Sequence, residues 1–142
     1  MPAPDIEPLE RLGDDYVLTV GSVSNDGVPS SFTVAGPWVD VAAPGENYTS
    51  LDARGSGTAV GKTDDKGGIG AFTGTSFATP LVSGTVALIR AKYPQLTAQQ
   101  VMDRVKATAH RPPGGWNPIL GWGSVDPVAA LTAELPTKAA AK

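Results

Sequence analysis

The sequence of 142 residues contains no cysteine and a single histidine, His110. The absence of cysteine excludes disulfide bonds and thiolate metal sites, and one histidine argues against a histidine-based metal site. We therefore expect neither a metal ion nor a cofactor. The net charge is −3, and the sequence has no basic run apart from a sparse tail that holds Lys138 and Lys142. A nucleic-acid partner is not expected for such a chain.

The sequence also predicts neither a signal peptide nor a membrane-spanning segment. The N-terminal segment, Met1-Pro-Ala-Pro-Asp-Ile-Glu-Pro, has neither the basic start nor the apolar run of a signal peptide. The uncharged stretch over residues 67–89 is long enough to raise the question of a membrane span. Its first half is glycine, threonine and serine, and Pro80 lies in its middle, which favours a buried helix instead.

The composition is that of a globular domain, with 41% hydrophobic and 18% charged residues. The 17 glycines and 13 prolines predict many turns and long connecting loops. The length corresponds to one domain with a real core. We expect an irregular lead-in over residues 1–15, the domain over residues 16–136 and a disordered tail over residues 137–142.

The pattern of the chain predicts an α/β fold with part of a parallel sheet. Residues 16–23 and 38–43 are apolar, β-rich runs that predict buried strands. Residues 31–34 and 122–125 predict short strands. The polar, glycine-rich residues 52–70 predict a long loop or a loose hairpin, and loops of that length usually have a function or move.

Three helices are expected after that loop. The first, over residues 76–93, is apolar nearly all round, which predicts a central position in the fold. Thr97 and Gln100 form a capping box that opens the second helix, which is expected to close near His110. Asp126 and Pro127 predict the start of the third, with aspartate at the N-cap and proline at the first helical position.

The segment Gly74-Thr75-Ser76-Phe77-Ala78-Thr79-Pro80 delivers one serine to the start of the first helix. The amide of such a serine is unpaired, and the helix dipole places partial positive charge beside it. Both would stabilise an oxyanion that forms next to the hydroxyl, as acyl transfer requires. The simpler alternative on local chemistry is that Ser76 or Thr75 only caps the helix.

The wider pattern resembles the C-terminal half of a subtilisin-like serine protease. Residues 74–84 match the nucleophile segment Gly-Thr-Ser-x-Ala-x-Pro-x-Val-x-Gly of that family. Residues 20–23 and 39–45 match the two strand segments that precede it, and residues 121–126 match its closing strand and turn. The resemblance implies a three-layer fold around a parallel sheet, with only the C-terminal portion present over residues 16–136.

The resemblance also implies a chemistry. Ser76 would be the nucleophile of an endopeptidase that cleaves peptide or protein substrates through an acyl-enzyme. The backbone N–H of Ser76 would donate to the oxyanion hole, Thr75 beside it would assist, and Gly74 would belong to the nucleophile loop. Residues 36–39, 92–97 and 130–136 carry a narrower resemblance, to the mycosins of mycobacterial type VII secretion. It implies a secreted or cell-envelope location and secretion-system components as partners.

The departure from the family pattern concerns the other members of the triad. No histidine precedes Ser76, and the Asp-x-Gly, His-Gly-Thr and Ala-Gly-Asn segments of the family are absent from the sequence. A serine hydroxyl without a base is a poor nucleophile; in subtilisin itself, loss of the histidine lowers turnover about a million-fold. We therefore expect an isolated chain that is inactive, with a missing N-terminal half as its partner. The alternative is a catalytically inactive fragment that serves as a scaffold or binding module.

Three other patterns are weaker. Asp103 and His110 follow Ser76 in the order used by α/β-hydrolases, but both would lie on or at the end of one helix, poorly placed for a relay. The glycine-rich residues 55–63 resemble a phosphate-binding loop without its required glycine spacing, so nucleotide binding is rejected. Asp64 and Asp65 are better read as a solvated turn than as a calcium site.

Overall fold

The computed structural model describes residues 17–52, 54–63 and 69–135. The expected lead-in over residues 1–15, the aspartates at 64 and 65 and the expected tail over residues 137–142 lie outside the described residues. Six strands and three helices are described, in the order β1 (Val20–Val23), β2 (Val41–Pro44), β3 (Ser50–Leu51), β4 (Thr58–Ala59), β5 (Gly61–Thr63), β6 (Ile69–Ala71), α1 (Thr75–Lys92), α2 (Ala98–Ala107) and α3 (Pro127–Thr132).

The centre of the fold is a parallel pair of strands. β1 and β2 run side by side with Val20 opposite Val41, and Ser124 forms a parallel bridge to Ala42 on the far side of β2. The strand predicted over residues 122–125 is therefore reduced to isolated bridges. Gly121 and Gly123 explain the difference, because their positive φ angles of 59° and 117° interrupt the extended backbone.

The remaining strands differ from prediction in extent. Residues 31–34 form a turn, in which the amide of Thr33 donates to the carbonyl of Ser30 at 3.1 Å, and not a strand. Within the described part of the predicted loop over residues 52–70, β4 pairs antiparallel with β3 and β5 pairs antiparallel with β6. The predicted loose hairpin describes these short pairs better than a phosphate-binding loop does.

The helices begin close to their predicted positions. In the capping box of α2, the Thr97 side chain accepts from the Gln100 amide, and the Gln100 side chain accepts from the Thr97 amide. Asp126 caps α3 by accepting from the amide of Ala129 at 3.0 Å. The prediction of both caps is confirmed, whereas α2 ends at Ala107, earlier than expected.

A buried arginine joins α2 to α3. The side chain of Arg104 is only 7% exposed, and it donates to the carbonyls of Ala130 and Ala133 at the end of α3. Its guanidinium also lies 4.5 Å from the ring of Tyr93. The cation therefore satisfies carbonyls that α3 itself leaves free at its C-terminus.

One face of α1 covers the sheet and the opposite face is bare. Ala78, Val82, Thr85 and Ile89 are buried against β1, β2 and the other helices. On the other side Pro80, Ser83, Gly84, Ala87 and Leu88 are exposed, Leu88 by 53%. The predicted central position of this helix is therefore not reached within the described residues, because nothing among them packs on its second face.

Candidate active site

Ser76 lies at the second position of α1 and is exposed. The N-cap is Gly74, and no side chain forms a cap hydrogen bond there. The simpler alternative, in which Ser76 or Thr75 caps the helix, is therefore wrong. Among the described residues, no hydrogen bond involves the Ser76 hydroxyl, so it is available to another molecule.

Gly74 has a backbone conformation that only glycine adopts readily. Its φ of 154° and ψ of 161° bring the chain into the helix without a conventional cap. The carbonyl of Gly74 accepts from the amide of Phe77 at 2.9 Å. The amides of Thr75 and Ser76 have no acceptor among the described residues, and they form the positive end of the helix dipole. This arrangement suits an oxyanion beside the Ser76 hydroxyl.

The loop that leads to Ser76 is docked on the segment that follows β2. The amide of Gly74 donates to the carbonyl of Gly45 at 2.7 Å. At Thr73, the residue before Gly74, the side-chain hydroxyl accepts from the amide of Asn47 at 3.0 Å. Beyond it, the amide of Tyr48 donates to the carbonyl of Phe72 at 3.1 Å. These three hydrogen bonds fix the approach of the chain to α1.

An aromatic cluster supports the same junction. The ring of Phe77 lies 5.7 Å from that of Phe72 and 6.2 Å from that of Tyr48. The hydroxyl of Tyr48 donates to the carbonyl of Pro44, and burial raises the pKa of this phenol above its ordinary value. Phe77 thus anchors the first turn of α1 on the side next to Ser76.

A cavity of about 180 Å³ adjoins Thr75. It is bounded by Val20, Thr33 and Trp38, so its walls are largely apolar. Thr75 is half-buried, and its carbonyl accepts from the Thr79 hydroxyl at 3.0 Å. Of the predicted neighbours Gly74, Thr75 and Ser76, only Thr75 lines this cavity.

The alternative relay through Asp103 and His110 is not formed. His110 Nε2 lies 3.1 Å from Asp126 Oδ2. The Asp103 carboxylate instead accepts from the side-chain amide Nε2 of Gln99 at 2.9 Å, and it lies 3.6 Å from Lys106 Nζ. Among the contacts of residues 17–52, 54–63 and 69–135, none joins His110 to Ser76.

Sequence reasoning missed three polar residues that contact the segment on which the loop before Ser76 packs. Ser22, Ser30 and Glu46 form a chain of side-chain hydrogen bonds next to Gly45. These positions are 8 and 16 residues apart, and no local pattern marks them. Ser22 and Gly45 lie in segments that carried a signal, but nothing in the sequence pairs Ser22 with Ser30 or Ser30 with Glu46.

Comparison with known proteins supports the predicted resemblance. Residues 9–123 match the model of the Subtilase family. Mycosin-4 of Mycobacterium tuberculosis is 57% identical over 121 residues, which are 85% of this chain and 26% of that protein. The chain thus spans about a quarter of the length of the curated relatives it matches.

Solved structures of mycosins share the fold. The crystal structure of MycP1 with its N-terminal propeptide removed matches with a TM-score of 0.79 and 46% identity, over 84% of this chain and 38% of that one. A chain in the structure of the periplasmic assembly from the ESX-5 inner membrane complex matches with a TM-score of 0.80 and 44% identity, over 86% of this chain and 30% of that one. In the part of the chain described above, no helix is both long and apolar enough to cross a membrane.

Proposed function

We propose that this chain, which belongs to the subtilase family, is the nucleophile-bearing part of a mycosin-like serine endopeptidase. Ser76 attacks the scissile carbonyl carbon of a peptide or protein substrate. The base takes the proton of the Ser76 hydroxyl, the peptide C–N bond breaks, and the amine product leaves with that proton. Water then hydrolyses the acyl-enzyme, which releases the acid product and restores the Ser76 hydroxyl. The acid and the base of the triad come from a polypeptide segment outside this sequence.

The observation that carries this proposal is the state of Ser76 at the start of α1. Its hydroxyl is exposed and has no partner among the described residues, and the Gly74 N-cap leaves the amides of Thr75 and Ser76 free. A serine that only shaped the helix would use its hydroxyl on an amide of the first turn. Here the amides and the hydroxyl are all left for a ligand. We assign the Ser76 amide as an oxyanion donor and Thr75 as its neighbour in that site.

Two apolar grooves beside α1 support a missing segment. A groove of about 340 Å³ runs between β1 and α1, lined by apolar side chains that include Leu18, Val20 and Val86. A second groove of about 240 Å³ continues it towards Met102 on α2. Leaving this surface in water forgoes about 25 cal/mol for each Å² of apolar area. A segment that supplies the other triad residues would cover it.

The cellular setting follows the relatives. A structure of the periplasmic assembly from the ESX-5 inner membrane complex contains a chain similar to this one. We propose that the longer protein acts in the cell envelope, with components of a type VII secretion system as partners.

The test is reconstitution with the N-terminal region of a relative, for example Mycosin-4, followed by labelling with a fluorophosphonate probe. The assembled pair is expected to take one label at Ser76, and the chain alone is expected to take none. Ser76→Ala is the matched control, since it removes the hydroxyl and leaves the backbone amide in place. A folded pair that takes no label would contradict the proposal.

A second candidate, an inactive binding piece, rests on one contact. The sole histidine lies 3.1 Å from Asp126, and no contact among the described residues joins it to Ser76, so it does not serve Ser76 as a base there. This candidate predicts that the chain still binds the N-terminal region but remains unlabelled in a folded pair. The labelling experiment therefore separates the two.

A further inference from the structure

We propose that Glu46 is a positioning residue that holds the loop carrying Ser76, through a directed chain of two buried hydroxyls. The chain runs from Ser22 through Ser30 to the Glu46 carboxylate. This inference rests on the proposed role of Ser76, but its structural part can be tested without any activity.

The hydroxyl chain has a fixed direction. Ser22 and Ser30 are buried, at 0% and 4% exposure, and their Oγ atoms lie 2.8 Å apart. The Ser30 hydroxyl donates to Glu46 Oε2. An ionised carboxylate can only accept, so the single hydroxyl proton of Ser30 is donated to Glu46. The Ser22 hydroxyl is therefore the donor in its hydrogen bond with Ser30. A charged acceptor at the end makes such bonds stronger than those between neutral groups.

Glu46 lies between Gly45 and Asn47, which both form hydrogen bonds with the loop before Ser76. Before it, the carbonyl of Gly45 accepts from the Gly74 amide at 2.7 Å. After it, the amide of Asn47 donates to the Thr73 hydroxyl at 3.0 Å. Fixing the Glu46 side chain therefore fixes the backbone on both sides of it, and with that backbone the two hydrogen bonds to the loop.

The hydroxyl chain and the loop meet at Gly45. A methyl group added at Gly45 would lie 2.3 Å from Ser22 Oγ and 2.8 Å from the Gly74 carbonyl oxygen. Ser22 Oγ and the Gly74 carbonyl oxygen therefore both lie close to the place where a side chain at Gly45 would be. Gly45 is thus the residue at which the hydroxyl chain and the loop come closest.

The turn at Asn47 shows that this corner is held against a local cost. Its φ of 55° makes it the only residue other than glycine with a positive φ in the described part of the chain. Such a conformation persists where the surroundings determine it, and it gathers at functional sites. The amide of the same residue donates to the hydroxyl of Thr73, one residue before Gly74.

The consequence for chemistry concerns the amides of Thr75 and Ser76. Gly74 precedes them directly, so its peptide sets the direction in which they point. An oxyanion hole works only when its donors are held in place before the reaction, and a site loses effect when its supporting residues are loose. Glu46 would therefore affect the reactivity of Ser76 without touching a substrate.

The first experiment measures hydrogen exchange of single amides by NMR in the 142-residue chain. Glu46→Ala is expected to lower the protection of the Gly74 and Asn47 amides about tenfold or more, the scale of a lost hydrogen bond to a charged group. Glu46→Gln should lie between it and the unmodified chain, because its side-chain oxygen still accepts but carries no charge. Protection at Ile89, in the core, should not change.

Glu134→Gln is the matched control, since it makes the same chemical change at an exposed position. Ser30→Ala should reproduce the effect of Glu46→Ala, and the double variant should add nothing further, because both cut one chain. Unchanged protection at Gly74 in Glu46→Ala would overturn the proposal. A Gly74 amide that is unprotected in the unmodified chain would overturn it as well.

The second experiment measures the rate of fluorophosphonate labelling in the pair reconstituted with the N-terminal region. The rate is expected to fall from the unmodified chain through Glu46→Gln to Glu46→Ala, while Glu134→Gln matches the unmodified chain. Equal rates for all four would contradict the role towards Ser76. If the unmodified pair takes no label, the proposed function fails, and hydrogen exchange still decides whether Glu46 holds the loop.

Discussion

Gly45→Ala tests the junction between the parallel strands and the loop before Ser76. Gly45 follows β2 directly and is buried. The added methyl group would meet Ser22 Oγ at 2.3 Å and the Gly74 carbonyl oxygen at 2.8 Å. Neither neighbour can give way freely, since Ser22 is fully buried and the Gly74 oxygen belongs to the backbone at the start of α1.

The magnitude follows from these distances. Overpacking at a tight site costs about 1–3 kcal/mol, and the hydrogen bond from Gly74 to Gly45 would be weakened as well. For a domain of this size, such a loss lowers Tm by about 3–10 °C. The first turn of α1 should loosen, with reduced exchange protection at the Gly74 amide.

Thermal unfolding followed by circular dichroism measures this effect. Gly55→Ala is the control, because a methyl group there meets nothing within 4 Å and the residue has no positive φ. It should change the free energy of unfolding by less than about 0.5 kcal/mol. A Gly45→Ala variant with the same Tm as the unmodified chain would refute the tight contact.

Three further predictions concern single positions. Gly84→Ala should raise the free energy of unfolding by about 0.5–1 kcal/mol in a urea titration, because alanine favours the helix and a methyl group there meets nothing within 4 Å; a loss of stability would contradict the open face of α1. Arg104→Met should lower it by about 2–3 kcal/mol in the same assay, since carbonyls at the end of α3 lose a charged donor, and an unchanged midpoint would refute this. Burial raises the pKa of Tyr48, so its contribution to stability is present below the ordinary phenol pKa of about 10 and is lost as pH rises through the folded value. Tyr48→Phe should therefore flatten the fall in stability at alkaline pH, and identical profiles for the two chains would contradict it.

Local patterns predicted those parts of the fold that local chemistry determines. The capping box at Thr97 and the aspartate and proline at 126 and 127 depend on residues at most three positions apart. The long helix after Gly74 was equally visible, because its apolar run is continuous. In each case neighbouring residues specify the backbone.

The errors lie where distant residues decide the backbone. The short strand predicted at 122–125 is interrupted by the positive φ of Gly123, where the carbonyl of His110 would lie 1.9 Å from an added methyl group. The central position of α1 is a different case and stays a prediction, because the described residues cover only one of its faces.

The candidate site divides in the same way. The serine and its glycine could be predicted because they are adjacent in one motif. The support from Ser22, Ser30 and Glu46 could not, because it links three segments of the chain that meet only in the folded structure. The sequence also allowed Ser76 or Thr75 to cap the helix. Only the structure shows that Gly74 is the N-cap and that no side chain forms a cap hydrogen bond there.

The central claim is that Ser76 is a nucleophile whose general base comes from a polypeptide segment outside this sequence. The most direct measurement is the site of fluorophosphonate labelling, determined by mass spectrometry, after the chain is folded together with the N-terminal region of a mycosin. The account predicts one label, on Ser76, that requires the added region and disappears in Ser76→Ala. A folded complex without a label, or with a label on another residue, would contradict it.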